Sequence, residues 1–284
     1  MPHMIRVIGI LLITYVLVGV TSTVAQDTET AIVIQNVTVI DGFSSAAQPA
    51  MSVVTVGDKI NAVGPVGSVA IPANAEIIDG TDKFLIPGLW DTHAHLTYWG
   101  EDAMEMLVRA GVTSIRELGG DMEVVGDWRA QIEAGTRVGP SMGWCGPYLE
   151  GPDAPDEYRH KVATLVEARQ AVRDLREFGV DFFKIQAAIE PDLVAALVKE
   201  AQLYDMKVVG HVPQGLSPEE ASELGLRSIE HIHAYMRLGK EELASTFETF
   251  QRNDTWMSPA LYSLVASVEE RGENPGASEA IQRA

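Results

Sequence analysis

One cysteine in 284 residues, Cys145, excludes an internal disulfide framework. Cations are scarce too. Twenty-one Lys and Arg stand against 40 Asp and Glu, and a formal charge of −19 repels a phosphate backbone, so nucleic acid is not an expected partner. Long apolar runs are confined to the N-terminus, where Val7 to Val20 gives 14 residues. A bilayer span needs about 20. Arg6 precedes the run and Thr23-Val24-Ala25 offers a small-residue cleavage site before Gln26, so residues 1–25 read as a secretory signal. An uncleaved anchor is the other reading. No cysteine follows the run to carry a lipid. We expect an exported protein, periplasmic or extracellular, with no stable membrane span after signal cleavage. Hydrophobic residues at 46% and charged residues at 21% describe an ordinary globular chain rather than a disordered one.

Two textures follow the signal. From Ala31 to Ile78 short runs of Val and Ile alternate with turn signals such as Asp41-Gly42 and Gly57-Asp58, which predicts a small all-β unit over 26–84. From 85 to 284 strands and helices alternate. Glu101 to Ala110, Asp121 to Ala134 and Asp156 to Phe178 have helical patterns, each stopped by a glycine, and Ser217-Pro218-Glu219-Glu220 opens another helix with a capping box. Strands are expected to end near residues 95, 117, 144, 186, 211, 231 and 258. Repeated units of this length predict an α/β fold, a (β/α)8-type TIM barrel with seven of its strands in this chain.

The chemistry concentrates at those strand ends, where barrels of this type place their working residues. Phe84-Leu85-Ile86 reads as a buried strand leading into Pro87-Gly88-Leu89-Trp90-Asp91-Thr92-His93-Ala94-His95. Period-2 alternation then puts Asp91, His93 and His95 on one face. Paired neutral imidazoles suit a divalent metal. Lys184 interrupts an otherwise apolar strand, where a bare ammonium is costly. His211 and His231 each close a further strand. His233 competes with His231 from the same face, while Asp91 and Tyr98 are candidates for supporting or substrate contacts. His160, among charged residues, reads as part of a solvated helix face, and Cys145 as a small buried filler.

These residues resemble the amidohydrolase superfamily, most closely its imidazolonepropionase-like and prolidase-like branch. The resemblance rests on Pro87 to His95, on Gly111-Val112-Thr113-Ser114-Ile115-Arg116 with Gly119-Gly120, and on Ile229-Glu230-His231. It implies that His93 and His95 bind one divalent ion and His211 and His231 a second, with zinc the expected ion for such a donor set. It further implies that Lys184, carboxylated to a carbamate, bridges them. Within Ile229-Glu230-His231 it selects His231 over His233 as the ligand. The implied reaction is attack of a metal-activated hydroxide on an amide or peptide-like C–N bond of a small molecule, a dipeptide among the options. The resemblance also implies an N-terminal unit that forms part of a composite β-sandwich. The family's general-base Asp, from an eighth strand, has no counterpart in this chain, and Glu269, Glu270, Glu273 and Glu279 close no apolar strand. The barrel therefore reads as C-terminally incomplete, a fragment of a longer protein. Two alternatives accompany this reading: a mononuclear imidazolonepropionase-like hydrolase or deaminase with Lys184 structural, and an inactive metal-binding remnant. Oligomeric state is not legible.

Overall fold

The computed structural model describes residues 30–155 and 157–262. The signal segment and the acidic tail carrying Glu269 to Glu279 lie outside those residues. The chain divides into two compact units, Met1–Pro87 and Gly88–Ala284.

The first unit is a five-stranded sheet: β1 (Ala31–Val39), β2 (Gln48–Val56), β3 (Lys59–Pro65), β4 (Glu76–Asp79) and β5 (Phe84–Leu85). Its path is β3-β2-β1-β4, with β5 also paired to β1. The first three strands form an antiparallel meander, and β4 and β5 run parallel to β1. Val37, Val39, Met51 and Val53 supply its small core. Asp41 ends β1 in an Asx turn, its Oδ1 accepting the Phe43 and Ser44 amides at 2.9 and 2.7 Å. The run Phe84-Leu85-Ile86 behaves differently from its sequence expectation. Phe84 and Leu85 pair with β1 inside this unit, and Phe84 and Ile86 are exposed. The paired histidines are instead carried by a separate strand that begins at Leu89.

In the second unit all strand pairings are parallel. The elements begin with β6 (Leu89–Ala94), α1 (Leu96–Trp99), α2 (Asp102–Arg109), β7 (Val112–Glu117) and α3 (Met122–Glu133). Next come β8 (Ser141–Trp144), β9 (Tyr148–Glu150), β10 (Arg159–Lys161), α4 (Leu165–Phe178) and β11 (Phe183–Ile185). The unit continues with α5 (Pro191–Gln202), β12 (Val208–Gly210), α6 (Pro218–Glu223), β13 (Ser228–Glu230), α7 (Lys240–Asn253) and β14 (Trp256–Ser258). Two sheets result, β6-β7-β8 and β10-β9-β11-β12-β13-β14. Every residue of β11, β12 and β13 is buried. Parallel strands covered by crossover helices read as continuous apolar runs for this reason. Ile115, Leu149, Phe183, Ile185, Leu197 and Ile229 form the middle of the core.

One predicted helix is shorter than its pattern. The span from Asp156 to Phe178 contains β10, and α4 starts only after Thr164, whose side chain accepts the Glu167 amide in a complete capping box. His160 therefore lies on a strand rather than a helix. Local polarity resembled a solvated helix face, but pairing with β9 decides the conformation. Among the described residues no helix is long and apolar enough to cross a membrane.

Candidate metal centre

The C-terminal ends of the parallel strands bring the predicted residues together. The alternation expected for β6 is broken: Asp91 pairs with Ile115 and Ala94 with Glu117, so Thr92 and His93 stand against Arg116 alone, which is a bulge. Asp91 stabilises it through Oδ1, which accepts the His93 amide at 2.9 Å. Asp91 thus fixes backbone rather than an imidazole ring. The rings of His93, within the bulge, and His95, just past it, stand edge to face, centroids 5.1 Å apart.

Each of these rings has a defined hydrogen-bonded side. His93 Nδ1 lies 2.9 Å from Glu230 Oε2, and His95 Nδ1 lies 3.0 Å from the Gly119 carbonyl. Neither a carboxylate nor a carbonyl brings a proton, so each Nδ1 carries one and each Nε2 presents its lone pair. Gly119 is needed here. Its φ is +127°, and a Cβ would stand 2.4 Å from the Tyr148 ring.

The other donors arrive from three further strands. Lys184, in β11, is 0% exposed, and its Nζ lies 5.4 Å from the centroid of the Tyr148 ring. His211 follows Gly210, where β12 approaches β11 so closely that a Cβ would sit 2.1 Å from the Ile185 carbonyl oxygen. His231 follows β13, its ring 4.5 Å from His93 and 4.9 Å from His211. His231 has φ 68° and ψ 137°, a region that favours glycine. Two backbone hydrogen bonds to the end of β14 hold it there, His231 N to the Ser258 carbonyl at 2.8 Å and Ile232 N to the Pro259 carbonyl at 2.9 Å. His233 stacks on His231 at 5.1 Å, and Tyr98 meets His95 edge-on at 6.0 Å while its ring also contacts Tyr158.

Electrostatics favours neutral donors. Burial holds His95 and His211 down to about 3 and His231 to about 4, and the charge of Lys184 pushes all three in the same direction. Burial likewise lowers Lys184 to about 8. The buried His93 Nε2, His211 Nε2 and Lys184 Nζ have no hydrogen-bond partner. Unpartnered buried polar atoms are rare, and three in one cluster fit the donor set of a divalent cation. The set of imidazoles plus a carboxylatable amine is one that divalent zinc accepts. Among the described residues no three His, Cys, Asp or Glu side chains are yet drawn close enough to hold an ion.

Two carboxylates in the centre received no role from the sequence. Glu230 is fully buried, and its Oε1 accepts from Arg116 Nη2 and Ser228 Oγ, both at 2.7 Å. Burial pushes Glu230 up, but the His93 hydrogen bond and Arg116 outweigh it, and the carboxyl stays below its ordinary value. Glu117 Oε2 accepts the Leu96 amide at 2.7 Å, Oε1 has no partner, and burial raises the group to about 8. Each is the last residue of its strand, the kind of strand-end position that singled out His211 and His231. A cleft of about 500 Å³ opens in the loops after β9, β11 and β12, lined in part by Glu150, Asp153, Ile189, Glu190, Leu193 and Gln214.

No family model matches the chain. A stretch of 76 residues is 38% identical to the imidazolonepropionase of Rubrobacter xylanophilus, covering 24% of this chain and 18% of that protein. The crystal structure of a putative prolidase from Bifidobacterium longum is similar at 27% identity with a TM-score of 0.64, over 78% of this chain and 58% of that one. A Xaa-Pro dipeptidase solved with methionine in its active site shares the fold, at 22% identity and a TM-score of 0.68, over 85% of this chain and 69% of that one. The chain thus spans less than two thirds of the first two relatives.

Proposed function

We propose, from the premise that this chain belongs to the amidohydrolase superfamily, that it is a metal-dependent hydrolase of an amide or peptide-like C–N bond, with dipeptides as the favoured substrates. In this reading the parallel strands belong to a (β/α)8-type barrel over 85–284, and the unit over 26–84 contributes to a composite β-sandwich. The apolar run Val7 to Val20 supports export, to the periplasm or outside the cell.

His93 and His95 would hold one ion, His211 and His231 a second, and Lys184 would lie between them. Bound divalent ions, zinc by the donor set, supply Lewis-acid polarisation of a carbonyl and acidify water. The chain's own residues prepare the place. Glu230 and the Gly119 carbonyl orient the two imidazoles of β6. With its affinity for protons lowered, Lys184 reaches the free amine that can attack carbon dioxide. The ammonium first loses one proton; attack of the free amine on carbon dioxide then forms a C–N bond and releases a second, leaving an anionic carbamate. Tyr98 and His233 flank the rings, which supports assigning them to substrate contact.

The observation that carries this reading is the set of three buried, unpartnered donors, two imidazole nitrogens and one amine, in one cluster. Elemental analysis of the full-length protein should find about two divalent ions in wild type and a large loss in His93→Ala and Lys184→Ala, alongside hydrolysis of a panel of dipeptides. Wild type without stoichiometric metal would refute the proposal. The imidazolonepropionase match favours a second reading, a mononuclear hydrolase of a cyclic amide with Lys184 structural. Retention of one ion by Lys184→Ala would select it.

A further inference from the structure

We infer that Glu230, clamped by Arg116 and Ser228, is the positioning residue that sets the tautomer of His93 and so decides whether that ring can bind metal. The inference rests on the reading of His93 as a ligand.

Three strands meet in this network. From β7, Arg116 donates Nε to the carbonyl of Thr92, the residue before His93, at 2.8 Å, and Nη2 to Glu230 Oε1 at 2.7 Å. From β13, Ser228 donates to the same oxygen at 2.7 Å. Two donors therefore consume Oε1 and turn the carboxylate so that Oε2 faces His93 Nδ1 at 2.9 Å. Side-chain exposure is 0% for Glu230 and 9% for His93, so water does not compete for the bond. With Nδ1 obliged to donate, Nε2 keeps its lone pair, and Nε2 is the atom left buried without a partner. Carboxylate partners of this kind fix ring orientation and raise the basicity of a ligating imidazole.

The clamp also joins both halves of the centre. Glu230 precedes His231, so one dipeptide orients a ring of the β6 pair and supplies a ring from β13. Arg116 holds the backbone of β6 and the side chain of that dipeptide together. A change at Glu230 should therefore be felt first at His93 and then at the partner subsite.

Glu230→Gln removes the charge with little change in volume, and Glu230→Asp keeps the charge. In metal-free full-length protein, nitrogen-15 NMR of the ring should show His93 as the Nδ1–H form in wild type, a mixture in Glu230→Gln, and recovery towards wild type in Glu230→Asp. Titration with cobalt(II), read by its visible absorption, should show affinity at the β6 pair reduced about 10- to 100-fold in Glu230→Gln. If Glu230→Gln does not fold, Arg116→Lys, which keeps the charge but loses the two-pronged grip, should produce a smaller shift of the same sign. A pure Nδ1–H signal and undiminished cobalt affinity in folded Glu230→Gln would overturn the inference. Failure of wild type to bind cobalt at all would refute the metal reading instead, while the tautomer measurement would still decide the role of Glu230.

Discussion

His231 occupies a backbone conformation that other residues of the centre avoid, and this has a measurable consequence. At φ 68° and ψ 137° its Cβ is crowded, whereas His211 itself has no positive φ. Conformations of this kind cost about 1–3 kcal/mol and persist only where surrounding bonds enforce them. In metal-free protein, His231→Gly should therefore be better tolerated than His211→Gly by about 1–3 kcal/mol in urea unfolding. Both changes should abolish binding at the second subsite. Equal destabilisation would show that the ring, not the backbone, dominates at His231. At this scale the sequence was legible wherever a polar residue interrupted or closed a buried strand, as Lys184 interrupts β11 and His211 and His231 follow β12 and β13. By the same rule Glu117 and Glu230 were visible as residues, but not as partners, because His93 and Arg116, which meet Glu230, lie 137 and 114 positions away on β6 and β7. Hydrogen bonds across that many positions leave no local pattern.

Elements followed the sequence where local chemistry and packing agreed. The stop glycines after α3 and α4 and the capping box of α6 were read from neighbouring residues and involve only neighbouring residues. Two segments departed for one reason, that strand pairing overrode an isolated pattern. Phe84-Leu85 joined β1 of the first unit, and Arg159–Lys161 joined β9. The true start of α4 can be tested at its cap. Thr164 Oγ1 accepts the Glu167 amide at 3.2 Å, and Glu167 Oε2 accepts the amides of Thr164 and Ala163 at 3.0 and 2.8 Å. Thr164→Ala removes one of these bonds at an exposed position, so it should destabilise the protein by about 1 kcal/mol. Metal content should be unchanged, because α4 ends before the strand that carries Lys184. A loss below about 0.3 kcal/mol would place the effective start of the helix elsewhere.

At the scale of the whole molecule, acidity becomes a mechanical property of the fold. Carboxylates outnumber cations by 40 to 21, a formal charge of −19. Several of the cations are already paired, as Arg109 is with Glu105, Arg129 with Asp181 and Arg173 with Glu200, so they offset neighbours rather than the bulk of the charge. The excess repels itself when the chain is compact and less so when it is expanded. Screening should therefore favour the folded state. Raising sodium chloride from about 10 mM to about 0.15 M shortens the Debye length from about 30 Å to about 8 Å. With divalent metal removed, to exclude effects at the histidine cluster, the midpoint of thermal unfolding at pH 7 should rise by about 2–4 °C for each kcal/mol of repulsion relieved. Exposed ion pairs oppose this, since salt weakens them, but each is worth less than about 1 kcal/mol. Near the sequence pI of about 4.7 the net charge vanishes, and the same addition of salt should leave the midpoint unchanged or lower it. A midpoint at pH 7 that falls with salt would mean that the paired charges, not the excess, govern the stability of the fold.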